Sequence, residues 1–158
     1  MRWTMVMAGA LALVACGGDE AASSGALQLG QGFSPDPRVM TGTAGGGTDA
    51  TAWGGDCAGM VPSQPQHTLE VTHAFPGLKI AAIPTGDSED ADLTIAVRTP
   101  DGTYWCNDDY DGLDPMVGQA YPAGTYGIFV GLLGEGTAAY KLGISELVPF
   151  EPSTLREE

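Results

Sequence analysis

Nine carboxylates crowd residues 87–114: Asp87, Glu89, Asp90, Asp92, Asp101, Asp108, Asp109, Asp111 and Asp114, with Arg98 the one cation among them. Adjacent loops loaded this way repel one another. A calcium ion, which takes about six to eight oxygen ligands, would relieve the repulsion. Asn107-x-Asp109-x-Asp111-Gly112 has the alternation of the first half of a calcium loop, with the glycine at the sharp turn. It departs from that loop at position one, which is Asn, and at the twelfth position, where Gly118 replaces a bidentate carboxylate. A second arm could come from residues 87–92, so the candidate calcium ligands are Asp90, Asp92, Asn107, Asp109 and Asp111. The alternative is a set of solvated acidic loops in which Asp108 and Asp109 cap turns. No other cofactor is expected.

Trp53, Tyr104, Trp105, Tyr110 and Tyr121 fall near loops or strand ends. They could stack on sugar faces or anchor a protein partner, with Trp105 and Asp108 as the candidate ligand-binding pair. Their competing role is to plug the ends of a small core, Trp105 packing beside Cys106. Catalytic chemistry has weaker footing, and no catalytic residue is assigned. His67 and His73 lack a Cys or carboxylate at ligand spacing, and His67 reads as a hydrogen-bonded structural residue. Gly86-Asp87-Ser88 is followed by Glu89 and Asp90, which would destabilise an oxyanion, and no nucleophile-elbow motif occurs. Gly45-Gly46-Gly47 has no following helix and lysine, so it is a loop and not a phosphate cradle. Paired carboxylates could in principle hydrolyse a glycoside, but a small sandwich leaves little room for a cleft.

The cysteines point to export. Met1-Arg2-Trp3 is a short basic start, and residues 6–15 form an apolar run of ten, too short to span a bilayer and the right size for a secretory signal. It ends in Leu13-Val14-Ala15-Cys16, which matches the bacterial lipobox and implies cleavage before a lipidated Cys16. Two or three acyl chains, at about 0.8 kcal/mol per buried CH₂, make such an anchor stable. Gly17 after the cysteine favours outer-membrane sorting in a Gram-negative cell. Cys57 and Cys106 remain as an even pair in an oxidising compartment, where a disulfide is expected. Closing a loop of about 50 residues contributes roughly 4 kcal/mol in the chain-entropy model. Two isolated cysteines and two histidines make a poor zinc set.

The elements that must position these groups are strands. Thr68-Leu69-Glu70-Val71-Thr72 and Leu93-Thr94-Ile95-Ala96-Val97-Arg98 alternate, as do the sets Tyr126, Ile128, Val130 and Tyr140, Leu142, Ile144, while residues 78–83 mostly do so. Pro76-Gly77, Pro84-Thr85-Gly86-Asp87, Pro122-Ala123-Gly124 and Gly134-Glu135-Gly136 supply turns, and Pro100-Asp101-Gly102-Thr103 predicts a tight hairpin. No ten-residue segment has a helical period. The chain of 158 residues carries 24 Gly and 11 Pro, which excludes a helix bundle and predicts an all-β sandwich. Its net charge of -14 excludes nucleic acid as a partner, because phosphate neutralisation needs clustered Lys and Arg.

Residues 92–109 (Asp92-Leu93-Thr94-Ile95-Ala96-Val97-Arg98-Thr99-Pro100-Asp101-Gly102-Thr103-Tyr104-Trp105-Cys106-Asn107-Asp108-Asp109) resemble the centre of bacterial pre-peptidase C-terminal domains. Pro122-Ala123-Gly124-Thr125-Tyr126-Gly127-Ile128-Phe129-Val130-Gly131 is similar to a later strand of that family. The resemblance covers about residues 38–146 and implies an antiparallel, jelly-roll-like β-sandwich without catalytic activity, of the kind found beside secreted proteases. Asp-Ala-Asp-Leu stands at residues 90–93 where the family more often has Asp-Thr-Thr-Leu, and these 158 residues include no protease domain. The expected organisation is a lipoprotein signal at 1–15, a lipidated flexible tether at 16–34, the sandwich at 35–148 and a disordered acidic tail at 149–158. The expected function is a non-enzymatic binding or accessory module, held to the membrane by its lipid and facing an envelope protein or glycan. The alternatives are a calcium-dependent carbohydrate-binding domain and a small envelope hydrolase.

Overall fold

A computed structural model describes residues 26–157, so residues 1–15 and Cys16 lie outside the described residues. Eleven strands follow in chain order: β1 (Leu27–Leu29), β2 (Arg38–Ala44), β3 (Thr48–Asp49), β4 (Met60–Val61), β5 (His67–Val71), β6 (Phe75–Pro84), β7 (Leu93–Arg98), β8 (Tyr104–Asn107), β9 (Met116–Tyr121), β10 (Gly124–Leu132) and β11 (Ala138–Ser145). They form two facing sheets. In the first, β10 is central, with β5 and β4 following one another along one edge and β7 along the other. β1 borders β5, β3 borders β4, and β8 lies outside β7. The second sheet runs β2-β11-β6-β9, antiparallel throughout.

Period two explains the core. Leu69, Val71, Ile95, Val97, Ile128 and Val130 point inward from the first sheet, and Leu78, Ile80, Ala82, Tyr140, Leu142 and Ile144 from the second. All are buried. The expected hairpin forms at Pro100-Asp101-Gly102: Thr99 and Thr103 close it through their backbones, and Asp101 Oδ1 accepts from Thr103 N–H at 3.1 Å. Gly102 sits at φ +87°, which glycine alone adopts without strain.

The outward faces are also covered, each by a different device. On the first sheet, the 3-10 turn Ala50–Trp53 and the following residues lie over Ala96 and Phe129. Trp53 stacks on Tyr104 with centroids 4.2 Å apart and meets Phe129 edge-on at 5.0 Å. A Cys57–Cys106 disulfide ties this segment to β8. On the second sheet, residues 147–157 lie over Ala81 and Ile83, burying Phe150 and Leu155.

Two expected boundaries are corrected. The tether was expected to run to residue 34, but Leu27–Leu29 already pairs with β5, in parallel, and Leu29 is buried. This makes the sandwich not wholly antiparallel. A three-residue strand is too short to register as a period. The tail expected to be disordered from 149 instead forms the 3-10 turn Pro152–Arg156, because Phe150 and Leu155 find apolar surface on β6 and β11. Its charged residues mask those two anchors in composition.

Candidate functional site

β8 and β9 are the last strands of their respective sheets, and residues 108–115 carry the chain from one sheet to the other between them. A groove of about 1100 Å³ opens along this margin, lined by Tyr104, Trp105, Tyr110, Gly118, Leu147 and Val148 among others. Tyr110, Leu147 and Val148 are 51%, 48% and 87% exposed, and Leu113 on the same connection is equally open. The one other exposed large hydrophobic among the described residues is Leu133, at 39%, so exposed apolar surface gathers here. Such gathering marks interaction sites more than scattered single residues do.

Backbone polarity lines the groove too. Met116 N–H turns away from β6 and donates to Asn107 Oδ1 at 2.9 Å, while Pro115 C=O accepts from Ala82 N–H on the β6 side. Alternation along the strand therefore aims the N–H and C=O of Gly118 and Ala120 outward, and residues 118–120 are exposed. Asp56 and Glu146 are the carboxylates of the lining. Its one cation, Lys79, is turned to the Val148 carbonyl and, at 3.1 Å, to that of Phe150.

The five expected calcium ligands are not assembled as one set. Asn107 uses its Oδ1 on Met116. Asp111 and Asp114 close a tight turn through their backbones, with Gly112 at φ +66°, in place of a wrap around an ion. Asp90 lies just beyond the 3-10 turn Gly86–Ser88. Asp92 instead faces Asp109 and Asp108: desolvation first, then those two charges, hold its carboxyl above the usual range, and its Oδ1 is buried without a partner. Among the described residues no three His, Cys, Asp or Glu side chains are placed to share an ion.

Trp105, the expected ligand platform, packs edge-on against Tyr121 at 5.1 Å and tilted over Tyr126 at 6.0 Å, so its ring closes the core and only borders the groove. Asp108 is half-buried on the connection beside it. His67 is structural: Nε2 meets the Tyr140 hydroxyl at 2.7 Å, joining the two sheets, and burial pulls its pKa down. Burial pushes Tyr140 up. Sequence reasoning missed the β9 edge and the Leu147-Val148 pair. β9 does not alternate, because Val117 is buried beside Met116 while residues 118–120 are all exposed. The available signal was an uncharged strand-length run and an apolar pair standing just after a strand.

No protein-family profile matches the chain, and no curated protein matches it. Among solved structures it is similar to the pre-peptidase C-terminal domain of a collagenase from Bacillus anthracis, at 14% identity and a TM-score of 0.49 over 77% of this chain and 96% of that one. It is also similar to PliG of Aeromonas hydrophila, a periplasmic inhibitor of g-type lysozyme, at 16% identity and a TM-score of 0.34 over 75% of this chain and 95% of that one.

Proposed function

We propose that this chain is a non-catalytic, exported and lipid-anchored binding module that presents the β8–β9 groove to a polypeptide partner in the cell envelope. The observation that carries the reading is the convergence of Tyr110, Leu147 and Val148 on a margin where both sheets end. Export and anchoring rest on the lipobox at Cys16 and accord with the Cys57–Cys106 disulfide. A polypeptide fits better than a glycan. The expected sugar platform, Trp105, has its ring engaged by Tyr121 and Tyr126, and the outward backbone groups of Gly118 and Ala120 beside Leu147 and Val148 suit a peptide.

A photo-cross-linking side chain at position 148 tests the groove in the intact envelope. A discrete adduct from 148, absent when the same group stands at exposed position 133, is the expected result. Equal labelling from both positions, or none from 148, would sink the reading. Cys16→Ser should move the chain from the membrane to the soluble fraction, and unchanged fractionation would refute the anchor.

A further inference from the structure

The edge of β9 constrains what can fill the groove. An exposed sheet edge is a template for another strand, and proteins blunt such edges with Lys, Pro, short length or a cover. The other edges here are treated in that way. β1 and β3 have three and two residues, β2 directly follows Pro37 and begins at Arg38, and β8 is tied through Cys106 to the segment that covers its sheet. β9 reads Met116-Val117-Gly118-Gln119-Ala120-Tyr121, with no charge and no proline, and its outward N–H and C=O groups at Gly118 and Ala120 have no ladder partner.

The charge of the surroundings selects the strand. Asp56 and Glu146 line the groove, Asp108, Asp109 and Asp111 stand on the adjoining connection, and Lys79 is drawn to two carbonyls. The whole chain carries -14, so a second copy would be repelled and a cationic segment attracted. We propose that β9 takes up an extended, lysine- or arginine-rich polypeptide segment as an added strand. Gly118 and Ala120 pair with its backbone, and Tyr110, Leu147 and Val148 hold its alternate side chains. This rests on the groove reading above and names the class of partner.

The test uses the full-length chain in detergent and a fluorescein-labelled nine-residue peptide alternating lysine with valine, read by anisotropy. Its companions are the same peptide with glutamate for lysine, and two lysine forms N-methylated at alternate residues, one in each phase. The lysine peptide should bind, more weakly as salt rises. The glutamate form and one methylated phase should bind at least about tenfold more weakly, while the other phase is spared, because every second amide faces β9. Amide exchange at Gly118 and Ala120 should slow on binding.

Two variants aim at the edge itself. Gly118→Lys adds a side chain where a Cβ would meet only Lys79 Cγ at 3.6 Å, an ordinary contact. Ala120→Pro removes an outward N–H, a place where an edge tolerates proline. Each should cost about tenfold in affinity. Equal binding of both methylated forms, or protection elsewhere than β9, would overturn strand addition. No binding of the lysine peptide while position 148 still cross-links would overturn the inference and leave the groove reading standing. A peptide-free dimer with protected Gly118 and Ala120 would overturn it in favour of a second copy.

Discussion

The two outer covers solve one problem in different ways. Each sheet of a sandwich has a second face, and here each carries apolar residues that need burial: Ala96 and Phe129 on one, Ala81 and Ile83 on the other. The cover over the first sheet is covalent, an aromatic stack of Trp53, Tyr104 and Phe129 fastened by Cys57–Cys106, with the Arg98 guanidinium 5.8 Å from the Phe129 ring centre. The cover over the second sheet is held by packing and cations. Lys79 and Lys141 donate to carbonyls of Val148, Phe150 and Leu155, and Arg156 pairs with Asp114 at 2.6 Å. Of the five cations among the described residues, three thus serve the C-terminal cover. The exposed remainder is left strongly acidic. A cover of the second kind can open as a local unit while the core stays folded, whereas the first cannot leave without breaking a bond.

The largest test of this comparison is the disulfide. Cys57→Ser with Cys106→Ser should lower stability by about 4 kcal/mol in denaturant titration, the chain-entropy value for this loop. The same variant should speed amide exchange in residues 50–57 far more than in 147–157. Equal effects on both covers would mean that they are one cooperative unit.

Next comes Gly143→Ala. A Cβ there would meet Leu155 Cδ2 at 2.5 Å and Phe150 Cζ at 2.9 Å, so the second cover must shift, at about 1–3 kcal/mol. Faster proteolysis confined to residues 147–157 is the expected reading, and a wholly native digestion pattern would contradict it.

Acid distinguishes the core from the acidic margin. His67 has its folded pKa below the usual 6.5, so the unfolded chain takes the proton first and stability falls as pH drops from about 6.5 toward that lower value. Asp92 has its folded pKa above 3.8, so its protonation favours the folded state, and stability rises as pH falls through the raised value toward 3.8. Melting curves of His67→Gln and Asp92→Asn should each flatten one of these limbs. A variant whose pH profile matches the parent's would remove that group from the account.

The smallest expected effect is ionic. Asp92, Asp108 and Asp109 repel without forming a shared ligand set, so calcium and magnesium at equal concentration should raise the melting temperature alike, by screening. A rise with calcium alone, abolished by Asp109→Ala, would establish a coordination site.

Much of the sandwich is legible in the residues themselves. Leu93, Ile95 and Val97 share a face because the strand repeat is two, and Pro100-Asp101-Gly102 turns because Gly102 tolerates positive φ. These are local rules that need no partner. β9 is illegible for the opposite reason: its burial follows from lying at the end of one sheet beside the margin of the other, so its pattern reports two environments at once. Asn107 looked like a calcium ligand by spacing, yet Met116 N–H, brought across from the other sheet, takes its oxygen.

The amino-acid sequence alone settled the all-β class, the inward faces of the long strands and the negative charge, and it predicted the disulfide that the structure contains. Each depends on composition or on neighbours a few residues away. Only the tertiary structure decided which strands end their sheets, what covers the outer faces and which carboxylates face one another. Those outcomes depend on residues more than forty positions apart, such as Gln28 with Glu70, Lys79 with Phe150 and Asp114 with Arg156, whose meeting no local period encodes.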